Sequence, residues 1–214
     1  MKSNLLTKPF NYSYTNLTFV LIGINILVFF LGQIVPRSQI YLAMVPGLVV
    51  TRYYLWQFVT YMFVHGGFSH ILFNMLGLFF FGASVERRMG SREFLLFYLL
   101  TGTLAGIFSF LVYYFTGAYY VVLVGASGAV YAVLLAYAVY YPDSRIYIFG
   151  LIPVKAPVLV VAYTVIAVFS QASGGSNVAH LTHLAGFGFA FLYLLIRLRI
   201  NPIEAFTGRS SRPW

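Results

Sequence analysis

The segment VGASGAVYAVLLAYAVYY, which runs from Val124 to Tyr141, is apolar almost throughout and is followed directly by Pro142. A helix needs about 20 apolar residues to cross a bilayer, so a helix that starts near Ser127 is short for a full crossing. Its start is therefore expected to lie below the membrane surface. The residues around that start, Gly125-Ala126-Ser127-Gly128, are all small. They either let helices pack closely or hold Ser127 as a nucleophile, and the rest of the chain decides between these readings.

The composition is that of an integral membrane protein. Of the 214 residues, 61% are hydrophobic and only 8% are charged, whereas a soluble domain carries roughly 25% charged residues. So few charges cannot cover a globule, and most of the outer surface is expected to face lipid. Cysteine is absent, which excludes disulfides, thiolate metal ligands and a cysteine nucleophile. The net charge of +9 resides in loops and tails between apolar spans, which indicates membrane topology and not nucleic-acid binding.

Hydropathy along the chain predicts an all-α membrane protein, a compact bundle of six transmembrane helices in a single domain, residues 1–214. The N-terminal segment, 1–16, and the C-terminal tail, 197–214, flank the bundle. The segment Pro36–Trp56 contains two prolines and is predicted to be a first outer loop that is partly embedded in the membrane, and a hairpin-like stretch is predicted around Gly150–Pro157. The predicted spans are Leu17–Val35, Phe68–Val85, Phe94–Phe115, Ser127–Tyr141, Ala156–Phe169 and Val178–Ile196.

The charges predict the orientation of the bundle. Only Arg37 and Arg52 fall on one side of the six-span arrangement, and every other basic residue falls on the opposite side. The positive-inside rule then places both termini in the cytoplasm, in what is expected to be a prokaryotic cell membrane. The four acidic residues also fall on the cytoplasmic side, so chemistry at the outer side proceeds without a carboxylate. This excludes an aspartyl dyad and a Ser-His-Asp triad there. The acidic residues are Glu86, Glu93, Asp143 and Glu204.

Polar side chains from three spans are predicted to meet at one depth near the outer side. His70 and Asn74 are four positions apart and share a helix face, and His180 and His183 are three apart on the sixth span. Ser127 begins the fourth span from the same side. Polar groups at membrane depth are costly and are usually functional or tied to a partner. Their convergence therefore favours a site over simple packing.

The chemistry of these groups indicates nucleophilic catalysis. A serine hydroxyl needs a base to take its proton, and a neutral imidazole titrates in the useful range. A Ser-His dyad without an acid is a reduced form of the catalytic triad. At a helix N-terminus, Ser127 lies beside free backbone N–H groups and the positive end of the dipole. These groups could stabilise an oxyanion, with Asn74 and His70 as side-chain donors, while Tyr131 lies one turn beyond Ser127 and could pack against the histidine ring.

Together these features resemble the rhomboid family of intramembrane serine proteases, in the minimal six-helix form common in prokaryotes. The motifs follow the family's order and spacing from Trp56 onward. The family often has Trp-Arg where this chain has Trp56-Gln57, a departure that concerns the anchoring of the first outer loop and not the catalytic chemistry. The matching elements are GASG with Tyr131 four positions beyond its serine, HILFN in the second span, HLAG in the sixth, VERRMG at Val85–Gly90, and Gly102 and Gly106 in the third span.

The resemblance implies a nucleophile at Ser127 and a general base at His183, the histidine of the HLAG motif. It implies an oxyanion hole formed by the backbone N–H of Ser127, Asn74 and His70. Tyr131 would support His183, His180 would be a wall or structural residue, and His65 a hydrogen-bond partner that organises a loop. The residues expected to support the site are Tyr131, Gly125, Gly128 and Gly186.

The resemblance also implies an endopeptidase that cleaves transmembrane helices of other membrane proteins near the outer face of the bilayer, with no cofactor and no metal. One alternative is a catalytically inactive relative that binds membrane proteins. Another is a small transporter lined by polar residues, although the broken-helix repeats typical of transporters are not seen. Four histidines could in principle bind zinc, but the chain has no HExxH motif.

Overall fold

The computed structural model describes residues 8–148, 150–172 and 178–207, and most of these residues are helical. Residues 1–7 of the predicted N-terminal segment and 208–214 of the predicted tail lie outside the described residues. The helices before Ser127 are α1 (Leu17–Ile34), α2 (Pro36–Leu42), α3 (Pro46–Arg52), α4 (Gln57–Thr60), α5 (Phe68–Gly77), α6 (Ala83–Met89) and α7 (Ser91–Phe115). They are followed by α8 (Ser127–Tyr140), strands β1 (Arg145–Ile148) and β2 (Ile152–Lys155), α9 (Ala156–Ala172), α10 (Val178–Ile196) and α11 (Pro202–Thr207).

Three helical stretches in the described part of the chain are long and apolar enough to cross a membrane. They are Leu17–Ile34, Phe68–Met89 and Ser91–Phe115. Shorter apolar helices occupy the other three predicted spans. The arrangement of all six as membrane crossings remains a prediction.

The second predicted span is a single stretch interrupted by a π-helical turn at Leu78–Gly82, which links α5 to α6. The turn follows a position where space is tight, because a Cβ on Gly77 would lie 2.8 Å from Val130 Cγ1 on α8. A π turn inserts an extra residue and shifts the helix face that follows. The helix therefore runs on to Met89, four residues beyond the predicted end at Val85.

Helix α8 lies at the centre of the bundle and packs against α7, α9 and α10. Small side chains cover much of its surface, and its alanines at 129, 132, 136 and 138 are fully buried. The closest approach is to α10, where a Cβ on Gly186 would collide with the carbonyl oxygen of Gly128. Small residues let two backbones touch in this way. Gly188, two positions further along α10, has open space beside it.

The segment predicted to be the first outer loop is more ordered than the sequence predicts, because it contains the short helices α2 and α3. Each begins with proline, at Pro36 and Pro46, and proline suits the first helical position since its missing N–H has no partner there. Gln57 anchors this loop: its Oε1 accepts from Val45 N at 3.1 Å, and its Nε2 donates to Ile40 O at 3.1 Å. Gln57 therefore anchors this loop at the position where the rhomboid-like pattern often has arginine.

The hairpin begins earlier than predicted, with β1 and β2 paired antiparallel from Arg145 to Lys155. Gly150 lies in the turn with φ of 73°, a left-handed conformation that glycine adopts without steric cost. At the base of the hairpin, Ala156 N donates to Ser144 O at 3.1 Å. The hairpin therefore links α8 directly to α9.

The hairpin shares one end of the bundle with the turn between α6 and α7, because the Tyr141 hydroxyl donates to Ser84 O at 3.2 Å. Helix α10 also ends here. We call this the basic end, defined by the described residues Lys8, Arg87, Arg88, Arg92, Arg145, Lys155, Arg197 and Arg199.

Two buried glutamates tie the basic end together. The carboxylate of Glu86 accepts from Leu17 N at 2.7 Å and Thr18 N at 2.8 Å, and from the Ser91 hydroxyl. It thereby satisfies free donors at the N-terminus of α1. Glu93 accepts from Arg197 Nε at 2.5 Å and Arg197 Nη2 at 3.0 Å, and from Phe10 N at 3.0 Å.

We expect Arg197→Gln to destabilise the protein strongly. The Glu93 side chain is only 1% exposed, and removing one partner of a buried ion pair typically costs about 3 kcal/mol or more because the other charge is left unpaired. Thermal unfolding in detergent measures the loss. The exposed Arg92→Gln serves as the matched control, and Glu93→Gln/Arg197→Gln should regain part of the stability. An Arg197→Gln variant as stable as Arg92→Gln would contradict this account.

Candidate active site

A cavity of about 840 Å³ lies between α5, α8, α9 and α10. Its polar lining comes from α5, from the N-terminal halves of α8 and α10 and from Tyr163 of α9, and the remaining walls are apolar. No carboxylate is among the described residues that line it. The polar lining residues are Ser69, His70, Asn74, Ser127, Tyr131, Tyr163, Thr182 and His183.

Ser127 is the first residue of α8 and is half-buried in the cavity wall. The chain before it is fixed by backbone pairing: Met44 and Leu123 exchange bonds of 3.0 and 2.9 Å, and Gly125 N donates to Tyr61 O at 3.0 Å. The N–H groups in the first turn of α8 have no partner within the helix. They lie beside the Ser127 side chain and give this part of the cavity a positive potential.

Gly125 is required by the geometry around His70. Its φ is 112°, outside the range that side chains tolerate, and a Cβ here would lie 2.6 Å from His70 Nε2. Glycine therefore allows the chain before Ser127 to pass directly against the imidazole. The predicted supporting residues Gly125, Gly128 and Gly186 all lie at such close approaches.

The His183 imidazole lies flat against the Tyr131 ring, with ring centroids 4.0 Å apart and an interplanar angle of 10°. Its Nε2 is buried and has no hydrogen-bond partner among the described residues. Ser127 and His183 thus line the same cavity without a hydrogen bond between them in the part of the chain described. Such bonds are often open in ligand-free sites and tighten when substrate binds. A buried ring nitrogen without a partner is costly to keep and suits a group that exchanges a proton.

His180 lies one turn before His183, with ring centroids 6.2 Å apart and rings perpendicular. Unlike His183, it is not among the residues that line the cavity. The structure therefore separates the two histidines by position, and His183 is the one that faces the same space as Ser127.

Asn74 and His70 lie together on α5. Asn74 is 5% exposed and its Nδ2 donates to His70 O at 2.8 Å, which fixes the amide while leaving its second hydrogen for another acceptor. His65 lies in the segment before α5, 5.1 Å from the His70 ring, and its Nε2 accepts from Ala126 N at 3.5 Å. Burial lowers the pKa of His65 to about 4, so this imidazole is neutral at pH 7 and can act as the acceptor.

Four polar residues at or beside the cavity were not singled out by the sequence analysis: Ser69, Tyr163, Thr182 and Ser109. Thr182 lines the cavity beside His183, and its hydroxyl lies 2.8 Å from the hydroxyl of Ser109 on α7. The available signal was the small-residue stripe Gly102, Ala105, Gly106 and Ser109, whose three- and four-residue spacing marks one face of α7. No group of three or more histidine, aspartate or glutamate side chains in the described ranges is arranged to hold a metal ion.

The fold and this cavity define a class: a helical membrane protein with polar groups gathered inside its bundle. The family model of the rhomboid domain matches residues 52–200. The chain belongs to the rhomboid family, and it is an integral membrane protein.

Relatives come from bacteria, plants and yeast. The chain is 32% identical to the rhomboid protease GlpG of Enterobacter sp. (strain 638), over 81% of this chain and 62% of that protein. It is 32% identical to RHOMBOID-like protein 12, mitochondrial, of Arabidopsis thaliana, over 60% and 42%. It is also 32% identical to the rhomboid protease GluP of Bacillus subtilis (strain 168), over 55% and 23%. The matched regions thus span less than two thirds of the length of each of these three relatives.

Proposed function

We propose that this protein is an intramembrane serine endopeptidase that cleaves transmembrane helices of other membrane proteins with a dyad of Ser127 and His183. The observation that carries the proposal is the meeting of these two side chains at one cavity inside a membrane protein, with the Nε2 of His183 buried and without a partner among the described residues. The names of the relatives support the same activity, since GlpG and GluP are called rhomboid proteases.

In the proposed reaction, the Ser127 Oγ attacks the carbonyl carbon of the scissile peptide bond while His183 Nε2 accepts the hydroxyl proton. The tetrahedral intermediate then collapses, and His183 gives that proton to the departing amine. Water then attacks the acyl-enzyme while His183 Nε2 accepts its proton. The ester bond to Ser127 Oγ breaks, and His183 returns the proton to that oxygen. No carboxylate among the residues that the structure describes orients the imidazole. Instead, the Tyr131 ring holds the ring plane of His183 by stacking.

The negative charge of the intermediate would be held by three donors: the backbone N–H of Ser127, the Asn74 amide and the His70 imidazole. Asn74 is positioned by its bond to His70 O, and His70 by its contact with Gly125. Donors fixed in advance in a water-poor site are effective because they need no reorganisation.

The substrate must arrive as extended backbone, because a peptide bond within a helix is hydrogen-bonded and shielded by its own turn. We infer that a substrate helix enters from the lipid and unwinds near the outer face, where the N-termini of α5, α8 and α10 meet. In this proposal the basic end of the bundle and both termini lie in the cytoplasm, as the positive-inside rule predicts. The six-crossing arrangement and the cell membrane of a prokaryote are part of this proposal.

Reconstitution tests the activity. The purified chain is placed in proteoliposomes with a panel of single-pass membrane proteins, and the products are located by mass spectrometry. We expect cleavage within or beside the transmembrane segment of at least one substrate, and none with Ser127→Ala. A wild-type preparation that binds the substrates and leaves them intact would favour the inactive relative, and one that cuts only soluble proteins would contradict the proposed substrate class.

Asn74→Ala is expected to slow cleavage without abolishing it. Removal of one oxyanion donor typically lowers kcat by about 10²–10³-fold. The other two proposed donors, the His70 imidazole and the backbone N–H of Ser127, remain. Single-turnover cleavage of a reconstituted substrate gives the rate, and thermal unfolding checks the fold. A loss as complete as that of Ser127→Ala would show that Asn74 does more than donate one bond.

A further inference from the structure

The hairpin β1–β2 has two different faces. Ile146 and Val154 are paired across the strands and pack against the hydrophobic core, and Ile146 also lines the cavity. Side chains alternate between the faces of a strand, so the opposite face carries Arg145, Tyr147 and Lys155, all exposed. At the turn, Leu151 is 80% exposed.

Two cations face each other on the exposed side. Arg145 and Lys155 are directly opposite in the antiparallel register, an arrangement that is destabilising for like charges. Lys155 Nζ lies 3.3 Å from Asp143 Oδ1, but both side chains are more than half exposed, and such pairs contribute little. Arg145, Lys155 and Asp143 together carry a net charge of about +1 at pH 7. An anion between Arg145 and Lys155 would reduce the repulsion of the two cations.

The surroundings identify the anion. The hairpin lies at the basic end, where the carboxylates of Glu86 and Glu93 are buried and already hydrogen-bonded. Basic residues beside a membrane attract anionic lipid headgroups, and guanidinium is well suited to phosphate oxygens. Tyr147 shares the face of the two cations and is exposed, and the exposed Leu151 lies at the turn of the same hairpin, so the cations adjoin a surface that fits hydrocarbon.

We propose that the β1–β2 hairpin binds an anionic phospholipid, with its phosphate between Arg145 and Lys155 and its glycerol and upper acyl chain against Tyr147 and Leu151. Because β2 runs directly into α9, the bound lipid holds the start of α9, a helix that contributes Leu159 to the cavity wall. This inference does not depend on proteolysis.

Native mass spectrometry of the detergent-purified full chain tests the proposal. Phosphatidylglycerol is titrated against phosphatidylcholine with the same acyl chains. We expect wild type to retain phosphatidylglycerol in preference, and Arg145→Gln/Lys155→Gln to bind it roughly tenfold or more weakly, since each basic residue near a membrane surface contributes about 1 kcal/mol. The matched controls are the exposed Arg92→Gln and the swapped pair Arg145→Lys/Lys155→Arg, which should both bind as wild type does.

A second variant and a competition separate the outcomes. Tyr147→Ser/Leu151→Ser should weaken retention of both lipids, because it removes the apolar contact and leaves the charges. Unchanged preference in Arg145→Gln/Lys155→Gln, or an equal loss in Arg92→Gln, would overturn the site. Displacement of phosphatidylglycerol by an equal concentration of inorganic phosphate would show an anion site without lipid recognition, and would overturn the proposal as well. Equal melting temperatures of the variants establish that each remains folded.

Discussion

Ser127→Ala is expected to abolish cleavage of a transmembrane substrate, with a loss on the order of 10⁴-fold or more, as found when the nucleophile of a serine protease is removed. The proposed oxyanion donors remain in this variant, but among the described lining residues no other hydroxyl is the first residue of a helix. The fold should persist, because Ser127 is half-buried at the start of α8 and the packing of that helix depends on the glycine and alanines that follow. Cleavage in proteoliposomes and thermal unfolding measure the two effects.

The control for this variant is Ser69→Ala, which removes another hydroxyl from the same cavity wall. We expect it to cut nearly as wild type does. Substantial cleavage by Ser127→Ala in a preparation free of other proteases would contradict the assignment of the nucleophile, and equal losses in both variants would indicate a general effect on the cavity.

His183→Phe is expected to cause a loss of the same order, because the base that takes the serine proton is gone. Phenylalanine keeps an aromatic ring against Tyr131, whereas alanine would also remove the stacking seen at 4.0 Å. The variant therefore separates the loss of the base from the loss of packing. The matched control is His180→Ala, which removes an imidazole one turn away that does not line the cavity, and its activity should remain close to wild type. The reverse pattern, with His180 essential and His183 dispensable, would contradict the assignment of the base.

A readout without substrate is also available for His183. The chain has no cysteine, so Ser127→Cys carries a single thiol. A neighbouring imidazole that accepts its proton increases the thiolate fraction and thus the rate of alkylation. We expect alkylation of Ser127→Cys to slow when His183→Phe is added and to be unaffected by His180→Ala. Equal rates in all three backgrounds would show that the imidazole does not act on this position.

Much of the helical layout follows from hydropathy, because a lipid-facing helix requires a long apolar run and these runs are separated by charged turns. The apolar run predicted a span that starts near Ser127, and α8 begins at that residue. The spacing of His70 and Asn74 placed both on one face of α5, and both line the cavity.

The features that could not be predicted depend on contacts between distant segments. The π turn at Leu78–Gly82 adjoins the close passage of Gly77 beside Val130, which no local pattern shows. Glu86 and Glu93 look like exposed charges in the sequence, yet both are buried because segments more than sixty residues away in the chain supply their donors. The strand pairing of Arg145 with Lys155 was likewise hidden, since two like charges in register weaken a hairpin.

The most direct test of the central claim is covalent labelling with a fluorophosphonate, which reacts with activated serines and needs no known substrate. The adduct is located by mass spectrometry in wild type, Ser127→Ala, His183→Phe and His180→Ala. We predict an adduct at Ser127 that requires His183 and does not require His180. An adduct at another serine, or labelling of Ser127 that is equally strong in His183→Phe, would contradict a dyad of these two residues.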